Sequence, residues 1–457
     1  MIDRSSTALE IAAAVRSGAV SAVDMAAAAL SRIETDNPQL GAFTAVTAER
    51  ALAEAARVDA VVEDCGDPGP LAGVPFAVKN LFDIAGLATL AGSKINADHP
   101  PAAGDAVLIQ RLNKAGAVLV GALNMGEYAY DFTGENCHHG PSRNPHDPSH
   151  MSGGSSGGSG TAAAAGMVPL TLGSDTNGSI RVPSSFCGLF GLKPTFGRLS
   201  REGTFPFCHS LDHLGPLARS AADLAASHDA MLEPGKAAPV TPTLARGVDN
   251  LRIAVAGDYF ARGAMPEAFE AVEKVAAALG AKDTVIIPEA ARARAAAYVI
   301  TTAEGGNLHL ERLRTRAMDF DPATRDRLLS GAMVPASWYL QAQRFRRWYH
   351  DRVMELFTSV DIILAPVTPC AAPPIGRQTM VLDGVEMLVR PNIGIFTQPL
   401  SLIGLPIVAA PVQRPGGLPI GIQVIAAPGR EDLALRVAAR LELSGVCAAP
   451  VAGKGTL

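Results

Sequence analysis

A chain of 457 residues, 48% hydrophobic and 18% charged, can bury a large core and lies far from the composition of disorder. Its formal charge of −5, without a lysine/arginine cluster, argues against a nucleic-acid or anionic-membrane footprint and for a small neutral or weakly charged substrate. Six cysteines (Cys65, Cys137, Cys187, Cys208, Cys370 and Cys447) stand far apart with no C-x-x-C pair, the pattern of reduced thiols in a cytoplasmic protein.

The opening MIDRSSTALE has no basic segment leading into an apolar run, so no secretory signal is read there. Thr7 and Glu10 have the spacing of a capping box at the start of an alanine-rich helix. VDMAAAALSRIE continues the helical pattern after a Ser-Gly break near Gly18. CGDPGP reads as a turn and LAGVPFAVK as a short apolar strand. AVLIQRLNKAG followed by AVLVGALN reads as a helix leading into a buried strand, and proline- and glycine-rich loops are expected over 133–160. Further on, LRIAVAG, PEAFEAVEKVAAALG and TVIIP make a β-α-β unit. RFRRWYHDRVMELF is an amphipathic helix, and DIILAPVTP and GIQVIAA are further strands. SLIGLPIVAAPV is too short and too proline-broken to span a bilayer. With no internal repeat and no long linker, the expectation is one α/β body with a mixed sheet.

The stretch MSGGSSGGSGT at 151–161 has the composition of a flexible linker. It runs straight into TAAAAGMVPLTLGSDTNGSIRVP, which reads as an alanine-rich helix, a short apolar strand and a second small-residue turn. Two glycine/serine turns around one helix–strand unit suggest close approach of the backbone to a ligand. A phosphate loop would need a lysine in G-x-x-x-x-G-K-[ST], and GGSSGGSG supplies none. Taken alone, the segment leaves linker and site open.

The longer stretch GGSSGGSGTAAAAGMVPLTLGSDTNGSIRVPSSFCGLFGLKPTFGRLS resembles the signature of the amidase signature family. LAGVPFAVKN, NMGEYAY, GPSRNPHDP, SLDHLGPLARS, DIILAPVTP and QPLSLIGLPIVAAPV resemble further segments of that family in the same order, so the likeness covers nearly the whole chain. The resemblance implies a three-layer α/β/α fold with a large mixed central sheet, in one domain over 1–457. Within it the expected parts are an N-terminal helical region 1–62, a signature core 65–220 and an inserted βα region 245–340 on the substrate side. It also implies cleavage of amides by a Ser-Ser-Lys triad, with Ser179 of DTNGSIR as nucleophile, Ser155 as the bridging serine and Lys79 as base. A cis peptide between Gly154 and Ser155 belongs to the same pattern, as does an oxyanion hole from the backbone N–H groups of Thr176, Asn177, Gly178 and Ser179. The family usually carries glycine where this chain has Asn177. Asparagine tolerates φ > 0 better than other side-chain-bearing residues, so the turn is expected to survive with a narrower pocket.

These residue types suit the chemistry. Serine is a poor nucleophile unless a neighbour takes its proton. No histidine falls at a suggestive place in the motifs, and a lysine buried in an apolar strand is pushed towards its neutral form. A lysine ending an apolar strand is ordinarily a surface residue, and it is the joint appearance of three motifs that marks this one as a base. His138, His139, His146 and His150 crowd one loop without metal-ligand spacing, so neither a metal nor a cofactor is expected. Cys137 and Cys187 lack a partner base, and Arg181 is read as neutralising Asp175.

Substrate choice is read from the same resemblance. In glutaminase subunits of tRNA-dependent amidotransferases, a helical arginine binds the substrate carboxylate and an aspartate before T-x-P-x-x-x-x-G-L-P holds the α-ammonium. Here Arg327 in TRDRLLSGAMVPASWYL offers the carboxylate site, Arg312 is a second candidate, and Met125 in NMGEYAY is a further contact. Gly394 stands about where the aspartate should be, which disfavours glutamine. TFPFCHSLDHLGPLARS and TAEGGNLHLERLRTR resemble family members that release ammonia from small ureido acids beside a small helical partner subunit, in a hetero-oligomer. The alternatives are a scaffold subunit without catalysis and a glutaminase subunit.

Overall fold

The computed structural model describes residues 2–453. Its centre is one eleven-stranded mixed sheet. In chain order the strands are β1 (Phe43–Val46), β2 (Pro75–Lys79), β3 (Val118–Leu123), β4 (Leu170–Asp175), β5 (Phe190–Lys193) and β6 (His213–Ala218). There follow β7 (Ile253–Ala256), β8 (Asp283–Val285), β9 (Ile362–Pro366), β10 (Ile407–Val412) and β11 (Ile420–Ala426). Across the sheet they run β1-β3-β2-β4-β6-β5-β10-β11-β9-β7-β8.

Every residue of β2, β3, β4, β6, β10 and β11 is buried. Successive side chains of a strand point to opposite faces, so burial of all of them means that helices cover both faces. Departures from this gather towards the two edges, beginning with Val255 of β7. Edge strand β1 has a partly exposed pattern, and β8 at the other edge buries none of its residues. The LAGVPFAVK and AVLVGALN runs are apolar up to Lys79 and Asn124 because they lie in this doubly covered region, as β2 and β3, paired in parallel.

The helical expectations hold where the pattern is strong. Thr7 Oγ1 accepts from Glu10 N, and Thr7 N donates back to Glu10 Oε2, closing the capping box of helix Ala8–Arg16. The β-α-β unit is β7, helix Pro266–Leu279 and β8, with the two strands parallel. RFRRWYHDRVMELF is the greater part of the 21-residue helix Ala336–Leu356. Among the described residues no helix is long and apolar enough to cross a membrane.

One region departs from expectation. Residues 133–160 are not loop throughout: Arg143–Asn144 pairs with Asp147–Met151 as a short hairpin, and a helix already begins at Gly157. The glycines of GGSG are therefore helical, against their low propensity. Packing decides it. A Cβ on Gly158 would meet the Ala42 carbonyl oxygen and lie 2.6 Å from Asn124 N, and one on Gly157 would lie 2.9 Å from Ser152 Oγ. These glycines thus pack closely against other parts of the protein's own chain.

Candidate active site

Lys79 ends β2, and β4 runs parallel beside it with Val78 opposite Leu172. That register carries the C-terminal ends of the two strands out together, at the side of the sheet where α/β proteins form their sites. Lys79 is fully buried there. Its Nζ donates to Ser155 Oγ at 2.7 Å and to Ser174 Oγ at 2.9 Å. Ser155 follows a cis Gly154–Ser155 peptide. Its segment is held on both sides, by Gly154 N donating to Phe132 O and by Gly126 N donating to Ser155 O. Ser156 N donates to Ser179 O at 3.3 Å, which ties this segment to the turn after β4.

Burial pushes the Lys79 amine down to about 7, and the nearby Asp212, Asp175 and Asp131 carboxylates keep it from falling further. A lysine with this value has a substantial neutral fraction at neutral pH, while its two serine neighbours satisfy it in either state. Asp212 is itself buried, and burial raises its carboxyl above the ordinary value. It accepts from Phe207 N, Cys208 N and Thr176 Oγ1.

The turn Thr176–Ile180 presents Ser179. A Cβ at Gly178 would collide with Thr397 Oγ1, and this glycine takes φ 142°. Asn177 does not occupy the left-handed region expected for it. Gly178 absorbs the unusual conformation, so Asn177 needs no special tolerance. Among the described residues the N–H groups of Asn177, Gly178 and Ser179 donate to no protein acceptor, and they are free to meet an oxyanion.

Behind the turn lies a buried ion pair. Arg181 and Asp175 are both fully buried and make parallel bonds, Nε to Oδ2 and Nη2 to Oδ1, each 2.9 Å. Burial alone would raise the Asp175 carboxyl, but the Arg181 charge and its hydrogen bonds hold it far below the usual carboxylate range. Asp175 Oδ2 also accepts from Ile180 N, and Arg181 reaches Gln423 Oε1, Ser401 Oγ and the Thr397 carbonyl. The reading of Arg181 as the partner of Asp175 matches this geometry.

Ser179 opens into a cavity lined also by Tyr130, Asp131, Phe132, Asn177, Thr301, Arg327 and Gln398. The Arg327 guanidinium stacks 3.9 Å above the Tyr130 ring, with Nε donating to Ala323 O and Nη2 to Tyr130 O. It has no carboxylate partner among the described residues. Arg312 lies elsewhere, over the Phe205 ring and beside His99 and His309, and is not part of this wall. Met125 is buried outside the wall too, its carbonyl accepting from Asn136 Nδ2. Gly394 packs against Phe132 so closely that a Cβ there would lie 2.5 Å from the ring. An aspartate has no room at that position. Asp131, the cavity's own carboxylate, is held by Thr133, Gly134 N and Arg390.

Three of the four crowded histidines are individually engaged: His138 with Glu127, His146 with the Cys187 carbonyl and His150 with Asp147. Burial raises the thiols of Cys137, to about 11, and of Cys187. Ser174, Asp212, Thr301, Phe132 and Gln398 are not singled out by the sequence, although Ser174 stands one residue before the DTNGSIR motif, Asp212 lies in SLDHLGPLARS and Gln398 opens QPLSLIGLPIVAAPV.

The family model described as Amidase matches residues 24–435. AtzE of Pseudomonas sp. (strain ADP), a 1-carboxybiuret hydrolase subunit, is 54% identical over 450 residues, covering 96% of this chain and 98% of that protein. A glutamyl-tRNA(Gln) amidotransferase subunit of Chromohalobacter salexigens is 38% identical over 470 residues, covering 94% and 95%. Among solved structures, a chain of an inhibitor-bound vestigial protein complex, described as revealing the evolutionary origins of an s-triazine catabolic enzyme, superposes with TM-score 0.95 at 52% identity, over 97% of this chain and 99% of that one.

Proposed function

The chain belongs to the amidase family, and from that premise we propose that it hydrolyses the terminal amide of a small carboxylated ureido compound, 1-carboxybiuret, and releases ammonia. It is a hydrolase of carbon–nitrogen bonds in non-peptide amides. In the proposed reaction Ser179 Oγ attacks the terminal carbonyl carbon and its proton passes to Ser155 Oγ, whose own proton passes to neutral Lys79 Nζ. The N–H groups of the Thr176–Ser179 turn receive the oxyanion. Collapse breaks the C–N bond, the leaving nitrogen takes a proton back through Ser155, and ammonia departs. Water then repeats the relay on the acyl group held by Ser179.

The observation that carries the substrate reading is Arg327, a guanidinium without a carboxylate partner in the cavity that Ser179 lines. It fits a substrate carboxylate. The glycine at 394, pressed on Phe132, leaves nothing there to hold an α-ammonium, which disfavours glutamine. The high identity to a protein named for 1-carboxybiuret supports the same reading. That relative is named as a subunit, and the superposed chain comes from a complex. We therefore include a partner subunit in the proposal, which we propose to be small and helical, with action in the cytoplasm.

The test is an ammonia-release screen over carboxybiuret, biuret, allophanate, glutamine and aryl amides, with a partner chain supplied where one is needed. Carboxybiuret is expected to be turned over best. Glutamine turnover at comparable efficiency would replace this reading with a glutaminase subunit, and silence on every amide would leave a scaffold.

The state of Lys79 gives a pH prediction. Only the neutral amine accepts a proton, so kcat/KM should rise with pH through an apparent value near 7 and level off above it. A profile that is flat from about pH 6 to about pH 8 would count against a lysine base.

A further inference from the structure

Asn177 stands in the turn that presents Ser179, and its side chain is closely held. It is only 7% exposed, and it lies in the wall of the cavity that holds Ser179 and Arg327. Its amide Nδ2 donates to Thr301 Oγ1 at 2.8 Å, from the buried face of helix Ala290–Leu308. Its backbone carbonyl accepts from Thr397 Oγ1 at 2.6 Å. What remains is Oδ1, buried and without a partner among the described residues. Other side-chain carbonyl and carboxylate oxygens of the wall are committed: Gln398 Oε1 to Arg294, and both Asp131 oxygens to Thr133, Gly134 and Arg390. A buried acceptor with no donor is costly, and a ligand that supplies one is favoured by the difference.

A donor is what a ureido substrate brings. Between its carbonyls lies an N–H, where a simple dicarbonyl compound has a methylene. We propose that Asn177 Oδ1 accepts the hydrogen bond of the N–H next to the scissile carbonyl, and so selects ureido amides over carbon-linked ones. This rests on the ureido reading above and adds a specificity-determining residue to it. Thr301 acts as a positioning residue that fixes which end of the amide faces the substrate. Arg327 holds the carboxylate end of the same molecule.

Biuret and malonamide are the probes, since they differ only by NH against CH2 between the two carbonyls. The readout is the ratio of their kcat/KM values in each protein, so that intrinsic reactivity cancels between wild type and variant. Asn177→Ala and Asn177→Gly should lower the biuret-to-malonamide ratio about tenfold, and Thr301→Val should lower it several-fold in the same direction. Matching thermal melts check that all three variants are folded. An unchanged ratio in folded Asn177 variants, with biuret still hydrolysed by wild type, would overturn this inference and leave the ureido reading standing. Absence of any ureido turnover in wild type would overturn both.

Discussion

Ser179→Ala should lower ammonia release by on the order of 10⁴-fold or more, while leaving the thermal midpoint within about 2 °C of the parent. The substitution removes one oxygen from a cavity wall and breaks no hydrogen bond that the folded state depends on. Ser179 meets its neighbours through its backbone, whose carbonyl accepts from Ser156 N. Lys79→Ala should silence the enzyme to a similar extent, because among the described residues no other side chain is hydrogen-bonded to Ser155 Oγ to take its proton. Lys79 is fully buried, so Lys79→Met is the companion variant that fills its volume and separates loss of the base from loss of packing. Steady-state ammonia release and a thermal melt on each protein are enough. Wild-type turnover in Ser179→Ala or in Lys79→Met would remove the proposed relay.

The second large effect concerns stability. Arg181→Met should cost about 3–5 kcal/mol, since it leaves the Asp175 carboxylate buried with an uncompensated charge. It also strips partners from Gln423 and Ser401. Asp175→Asn in the same protein relieves the stranded charge, so the double variant should be less destabilised than the sum of the two singles. Chemical denaturation of the four proteins measures this. Additive losses would mean that the pair is not a coupled clamp on the turn. Lysine at 181 is not expected to rescue, because it cannot reproduce the parallel bonds to both carboxylate oxygens.

Local pattern is what the sequence makes legible. The apolar runs of β2 and β3 can be read because a strand covered on both faces has no polar side to show, and the capping box of Thr7 and Glu10 is local by nature. The motifs that carry Lys79 and Ser155 are far apart in the chain, and the fold joins them by a hydrogen bond. The GGSG segment reads as loop for a physical reason. Propensity marks glycine as a helix breaker, whereas Ala42 and Asn124, both from distant segments, leave no room for a side chain at Gly158. Asn177 is expected in the conformation of the glycine it replaces, but its neighbour Gly178 takes that role against Thr397. Arg327 and Arg312 look alike in sequence, each in a charged helical stretch. Only Arg327 reaches the cavity, while Arg312 packs on Phe205. Asp212, Thr301 and Gln423 enter the site only through contacts made across long stretches of chain, and no spacing in the sequence reports those.

A near-neutral amine at 79 should drive acyl transfer onto the hydroxyl of Ser179, and an aryl carbamate can catch that transfer. A carbamoyl-serine is resonance-stabilised and is released slowly enough to be weighed. Intact-mass measurement and peptide mapping after brief exposure should find one carbamoyl group on the peptide that contains Ser179, absent from Ser179→Ala and strongly slowed in Lys79→Met. The same adduct on another residue, or its persistence in Ser179→Ala, would rule out Ser179 as the nucleophile and the relay with it.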